Sequence, residues 1–181
     1  MKTLKSYVIN ENSILTNLTD NLTDNLKHGD EAIKKYIIQF IENNYEYDGK
    51  LRISSKPNKD GKYEVSSSKD VWVKNKNIIS LTNDMFVWKT VKTYFGCVGC
   101  EITSLNGAPE EVNFFDYSYC NNLSSLEGAP KKVYDFDCSY CYSLISLEGA
   151  PGIVKGKFDC SGCKSLNSFK GKPLVVGKFS F

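Results

Sequence analysis

The chain predicts an α+β protein: an N-terminal helical cap and a β-hairpin, then a solenoid of short repeats with a parallel β-sheet on the concave face and no long convex helices. Three observations carry this expectation. Gly107, Gly128, Gly149 and Gly171 recur at intervals of 21, 21 and 22 residues, each followed two positions on by Pro109, Pro130, Pro151 or Pro173. Cys100, Cys120, Cys141 and Cys163 keep the same spacing to within one residue. Upstream of the repeats stand an apolar stripe of helical period and an Asp-Gly turn between two apolar runs. A fixed period of this length is the signature of stacked supersecondary units, none of which can bury its apolar face alone.

The elements follow in order. In "GDEAIKKYIIQFIENNY", Ile33, Tyr36, Ile37, Phe40, Ile41 and Tyr45 fall on one helical face, and Asp30 is positioned as an N-cap. A preceding helix is expected from Leu15, Leu18, Leu22 and Leu26, so residues 1–48 form the N-terminal helical region. Asp60-Gly61 then separates Leu51–Ile53 from Tyr63–Val65, a hairpin signal that makes 49–70 a capping segment. The solenoid occupies 71–181. Its divergent first repeat, 71–94, begins at "VWVKNKNIISL", with Val73 opposite Cys97, Leu81 opposite Leu105 and "TNDMFVWKTV" as a longer turn. Clear repeats span 95–178, and a terminal strand, 179–181, places Phe179 and Phe181 in the slots of Phe158 and Cys160.

Within a repeat the pattern is F-x-C-x-x-C-x-x-L-x-x-L-x-G-x-P. Phe158 and Cys160 are two apart and face inward along a short strand, while Lys157, Asp159 and Ser161 face outward. Cys163, Leu166 and Phe169 carry the chain around the core, and the Gly-x-Pro closes the turn before Val175 and Val176.

These segments ("FGCVGCEITSLNGAP", "FDYSYCNNLSSLEGAP", "FDCSYCYSLISLEGAP", "FDCSGCKSLNSFKGKP") resemble leucine-rich repeats of the short BspA-like type. They resemble more closely the "SLEGAP" repeat proteins of Bacteroidales bacteria and their phages. The resemblance covers about residues 71–181. It implies a protein-interaction solenoid from a bacterium or its phage, and the absence of a convex helix sets it apart from the longer leucine-rich repeats. The first eleven residues, ending Ile9-Asn10-Glu11, are similar to the capsid-targeting peptides of T4-like phage head proteins. That similarity implies cleavage after Glu11 and a virion-associated protein, against the alternative of an ordinary frayed first helix.

Composition limits the functions open to the chain. At 181 residues, 41% apolar and 13% aromatic, it has material for a sizeable core. A formal charge of +2 supplies no basic face for nucleic acid or membrane, and no segment reaches the length and apolarity of a membrane span. Together with what the repeat resemblance implies about origin, this makes the cytoplasm of a bacterial host cell the expected location. Charge is uneven along the chain: residues 101–151 carry eight acids against two lysines, whereas 152–181 carry six lysines against Asp159.

The cysteines invite a chemical reading. Cys97/Cys100, Cys138/Cys141 and Cys160/Cys163 are Cys-x-x-Cys pairs, the spacing of zinc ligands and thiol redox centres. Equivalent cysteines in a solenoid, however, lie one per rung along parallel columns. The slot also accepts Tyr117, and Val73 in the divergent copy, which indicates an apolar filler. No metal or cofactor is expected, and with His28 as the one histidine and no nucleophile elbow or phosphate loop, no enzyme is expected either.

Surface recognition remains. Asp116, Asp137 and Asp159 form one outward column and Ser118, Ser139 and Ser161 the next, with Tyr119 and Tyr140 beside them. Carboxylates and hydroxyls in register, bordered by tyrosines, suit a protein or peptide partner of basic character. The plainer alternative is that they bond one another and water. Phe179 and Phe181, on an exposed edge strand, are candidates for contact with another copy of the chain.

Overall fold

The computed structural model describes residues 26–181. The chain divides into two compact units, Met1–Gln39 and Phe40–Phe181. The first expected helix and the capsid-targeting segment up to Glu11 lie outside the described residues.

Helix α1 (Leu26–Asn44) carries the expected stripe: Ile37 and Ile41 are fully buried, and Ile33, Tyr36 and Phe40 are half-buried. Asp30 is not its N-cap, because the helix starts four residues earlier. The helix runs through Gly29, since one interior glycine costs only about 1 kcal/mol relative to alanine. The C-terminus of α1 is tied down through buried Asn44. Its side-chain amide donates to the Phe40 carbonyl at 2.9 Å, and its own carbonyl accepts the Lys74 N–H at 3.0 Å.

Ten strands follow in a single sheet. β1 (Tyr45–Tyr47) runs antiparallel to β4 (Val71–Val73), and β2 (Leu51–Ile53) pairs antiparallel with β3 (Tyr63–Ser67) as a hairpin. Gly61, with φ of 77°, makes the reversal, and Asn58 and Lys62 close it with a 2.7 Å backbone bond. The parallel ladder then runs β4, β5 (Phe86–Gly96), β6 (Glu111–Asp116), β8 (Asp135–Asp137), β9 (Ile153–Asp159), β10 (Val175–Ser180). β7 (Lys132–Val133) pairs with β9. The result is a β-solenoid of about six turns. Pairing of Val71 with Phe95 sets the offset of the first rung at 24 residues.

One element departs from the sequence expectation. "TNDMFVWKTV" is not simply a turn: Phe86–Val91 is strand, the first half of β5, and it pairs in parallel with β3. Phe86 and Trp88 alternate inward and are buried, so the hairpin continues the sheet where a turn was expected. The same stretch opens a column that the repeat motif does not include. Val91 pairs with Val112, and Val133 and Val176 each pair with Val154, giving every clear turn a second strand segment ahead of its phenylalanine.

The core is a ladder of rings. Phe95, Phe115, Phe136, Phe158 and Phe179 stack at centroid distances of 6.1, 5.5, 5.1 and 5.4 Å. Behind them lie Leu105, Leu123, Leu126, Leu144 and Leu147, all fully buried. The turn glycines have two reasons to be glycine. Gly107, Gly128, Gly149 and Gly171 sit at φ between 85° and 90°, and a Cβ on any of them would fall within 2.5 Å of the preceding rung's backbone.

Candidate functional site

The cysteines point into this core. All seven are buried and unbridged. The second cysteine of a rung donates its thiol to a carbonyl of the rung before: Cys120 to Cys97 at 2.8 Å, Cys141 to Tyr117 at 3.1 Å and Cys163 to Cys138 at 3.1 Å. Those carbonyls lie just past the strand ends, where the thiols give them a partner. Burial pushes the Cys138, Cys141 and Cys160 thiols up, Cys160 to about 12. Among the described residues, no three His, Cys, Asp or Glu side chains are arranged to hold a metal ion.

The outward face of the ladder is ordered in columns fixed by strand register. Trp72, Gly96, Asp116, Asp137, Asp159 and Ser180 stand opposite one another in succession across β4 to β10. Two residues earlier along each strand, Tyr94, Phe114 and Asp135 form a second column. Lys157 stands opposite Lys178 at its basic end. The face thus passes from aromatic through acidic to basic along the stack. A cleft of about 210 Å³ opens at its centre, lined by Tyr94, Phe114, Asp116, Asp135, Asp137 and Asp159 among others.

The aspartates differ in how far they are engaged. Asp116 accepts the Tyr94 hydroxyl at 2.9 Å, and through its other oxygen the Ser118 hydroxyl at 2.8 Å. Asp159 is ion-paired with Lys157 and accepts the Ser161 hydroxyl at 2.6 Å. Burial raises its carboxyl, but the hydrogen bonds from Lys157 and Ser161 outweigh that and hold it below the usual carboxylate range. Asp137 accepts the Ser139 N–H at 2.8 Å through one oxygen. Burial, reinforced by the like charges of Asp116 and Asp159, raises its carboxyl above the usual range.

The serines do not form the outward hydroxyl column expected of them. Ser118 and Ser139 are only 6% exposed. Each Asp-x-Ser unit is a local brace, the carboxylate capping the N–H two residues on, as short acidic side chains do in turns. Their carbonyls meanwhile continue the ladder beyond the strands, accepting from Gly99, Tyr119 and Tyr140 at 2.9, 2.9 and 2.8 Å.

The tyrosines carry the least expected feature. Tyr119 and Tyr140 adopt φ of 60° and 58°, the left-handed region, in the slot that the flanking rungs fill with Gly99 and Gly162. Their rings are 51% and 40% exposed and lie parallel, 6° apart in plane, with centroids at 4.8 Å. The Tyr140 ring covers Gly162, where an added Cβ would meet it at 2.7 Å. Nothing stands within 4 Å of the equivalent position at Gly99. The sequence showed which residue types share this slot; that a tyrosine there must take a glycine conformation could have been read from the alternation Gly, Tyr, Tyr, Gly.

Phe179 pairs with Phe158 in register and stacks on it, closing the ring ladder. Phe181 lies beyond β10, 78% exposed, and with Phe169 and Phe179 forms an aromatic cluster with centroids 5.4 to 5.9 Å apart. No protein-family model matches the chain, nor does any curated protein or solved structure.

Proposed function

We propose that this protein is a non-catalytic protein-interaction module whose partner, a basic polypeptide segment, lies along the outward face of the parallel sheet. The observation that carries the reading is the pair of stacked, exposed tyrosines in left-handed backbone. An L-residue there costs roughly 1–2 kcal/mol, and two sister rungs avoid the cost with glycine. Backbone strain of this kind persists where the side chain serves a purpose, and flat exposed aromatic faces are what binding surfaces are rich in. The acidic stretch next to the stack supplies the charge preference. Asp137, held among like charges, gains most from a cation placed in the cleft.

On the same reading the solenoid is a short leucine-rich repeat of the BspA-like, "SLEGAP" type, working in the host cytoplasm. The thiol-to-carbonyl bonds between rungs support this, standing where that consensus has Asn or Cys. The test is affinity capture from native host lysate, repeated with Asp116, Asp137 and Asp159 all changed to Lys. The proposal expects a specific partner to be lost from the charge-reversed bait. Recovery at an unchanged level would overturn it.

A further inference from the structure

A second cleft, of about 510 Å³, lies across β2, β3 and β5 and shares no lining residue with the acidic one. Its layout follows from strand register: Arg52 stands opposite Ser66, and Ser66 opposite Thr90. Lys50 flanks this row beside Ser68, to whose hydroxyl it donates its N–H at 3.0 Å, and Lys92 flanks it from β5. Three cationic residues therefore line one concave surface.

Among the described residues, Lys50, Arg52 and Lys92 meet no carboxylate, while Lys89, just outside, bridges Glu64 at 3.6 Å and Glu110 at 2.7 Å. Glu64 is the one acid lining the cleft, and Lys89 already offsets it. Neighbouring hydroxyls are available as donors. Ser66 Oγ has no partner among the described residues, and Ser68 Oγ accepts from Lys50 with its own proton free. Thr90 is committed, since its hydroxyl donates to Glu111 at 3.2 Å. Like charges gathered in a concavity repel one another, and an anion seated among them removes that cost.

We propose that this cleft binds a phosphate monoester. The donor set is a planar guanidinium fork, two ammonium groups and two hydroxyls. It matches a group that carries about −1.5 to −2 charges at neutral pH on three acceptor oxygens. A lone carboxylate offers two acceptor oxygens and one charge, and would leave part of the set unused. The site is independent of the acidic face, so either reading stands or falls without the other.

The test is an NMR titration of the full-length ¹⁵N-labelled protein at fixed ionic strength, with inorganic phosphate and O-phosphoserine as probes and acetate as the control anion. The proposal expects saturable shifts confined to residues 50–54, 64–68 and 90–92. It also expects Arg52→Ala with Lys92→Ala to weaken binding about tenfold or more while leaving the melting temperature in place. Tighter binding of O-phosphoserine than of phosphate would show that the rest of the ester is also held. Equal affinity would show that the phosphate group suffices. Lys50→Gln serves as a second, milder variant should the double one fold poorly. Shifts that fail to saturate, that appear equally with acetate, or that persist in the variants would overturn the proposal.

Discussion

At the scale of single residues, the chain tolerates local costs in the core as well as on the surface. Tyr117 occupies a slot that sister rungs give to cysteine; it is fully buried, packs on Phe115 at 4.4 Å, and its hydroxyl has no partner among the described residues. A buried hydroxyl left unpaired costs about 1–3 kcal/mol. Tyr117→Phe should therefore raise stability by about that amount in urea unfolding, and a loss of stability would mean that the hydroxyl has a partner. Asp137 is costly in a different way. Its raised carboxyl means the folded state holds that proton to higher pH than the unfolded chain does. Its contribution thus falls as pH rises from the ordinary carboxylate range through the raised value. Asp137→Asn should remove that decline: its melting temperature should gain on wild type as pH is taken from 3 to 7. An unchanged difference across that range would contradict the assignment. Asp159, depressed by Lys157, titrates with the opposite sign and is common to both proteins.

At the scale of elements, each rung is stabilised mainly by its neighbours, as expected of a nearly one-dimensional stack. Phe136 is nearly fully buried and has a stacked ring on either side, whereas Phe179 is half-buried and stacks on Phe158 alone. Phe136→Ala should cost about 3–5 kcal/mol and Phe179→Ala clearly less, measured by chemical denaturation. Equal losses would indicate that β10 is as enclosed as the central rungs. These elements were legible in the sequence where one residue type repeats in one slot. Phenylalanine, cysteine and the Gly-x-Pro turn gave the period, and the stripe through Ile37 and Ile41 gave α1. The strand Phe86–Val91 was not legible as such. Its partner β3 lies outside the repeat, and pairing with a distant hairpin leaves no periodic trace. The valine column was present at 21- and 22-residue spacing, but it is offset from the phenylalanine strand by a bulge that composition does not mark.

At the scale of the solenoid, the repeat turns a one-dimensional sequence pattern into columns, and function is read along columns. Aspartates 116, 137 and 159 were legible as an outward column because alternation along a strand fixes the face. The serines were misplaced outward because alternation ends where the strand ends: at Ser118 and Ser139 the chain is already turning, and the carboxylate two residues back draws each serine in. For the tyrosines, residue type was visible, and conformation only through the glycines that share their slot. What sets them apart is the cost of the backbone they occupy, and that gives the account its most direct test. Tyr119→Gly combined with Tyr140→Gly restores the residue that the flanking rungs use and relieves the left-handed strain. The measurement is partner capture and denaturant midpoint on the same double variant. A midpoint at or above that of wild type is expected, together with loss of the partner. A lowered midpoint with undiminished capture would contradict it, because the tyrosines would then be structural.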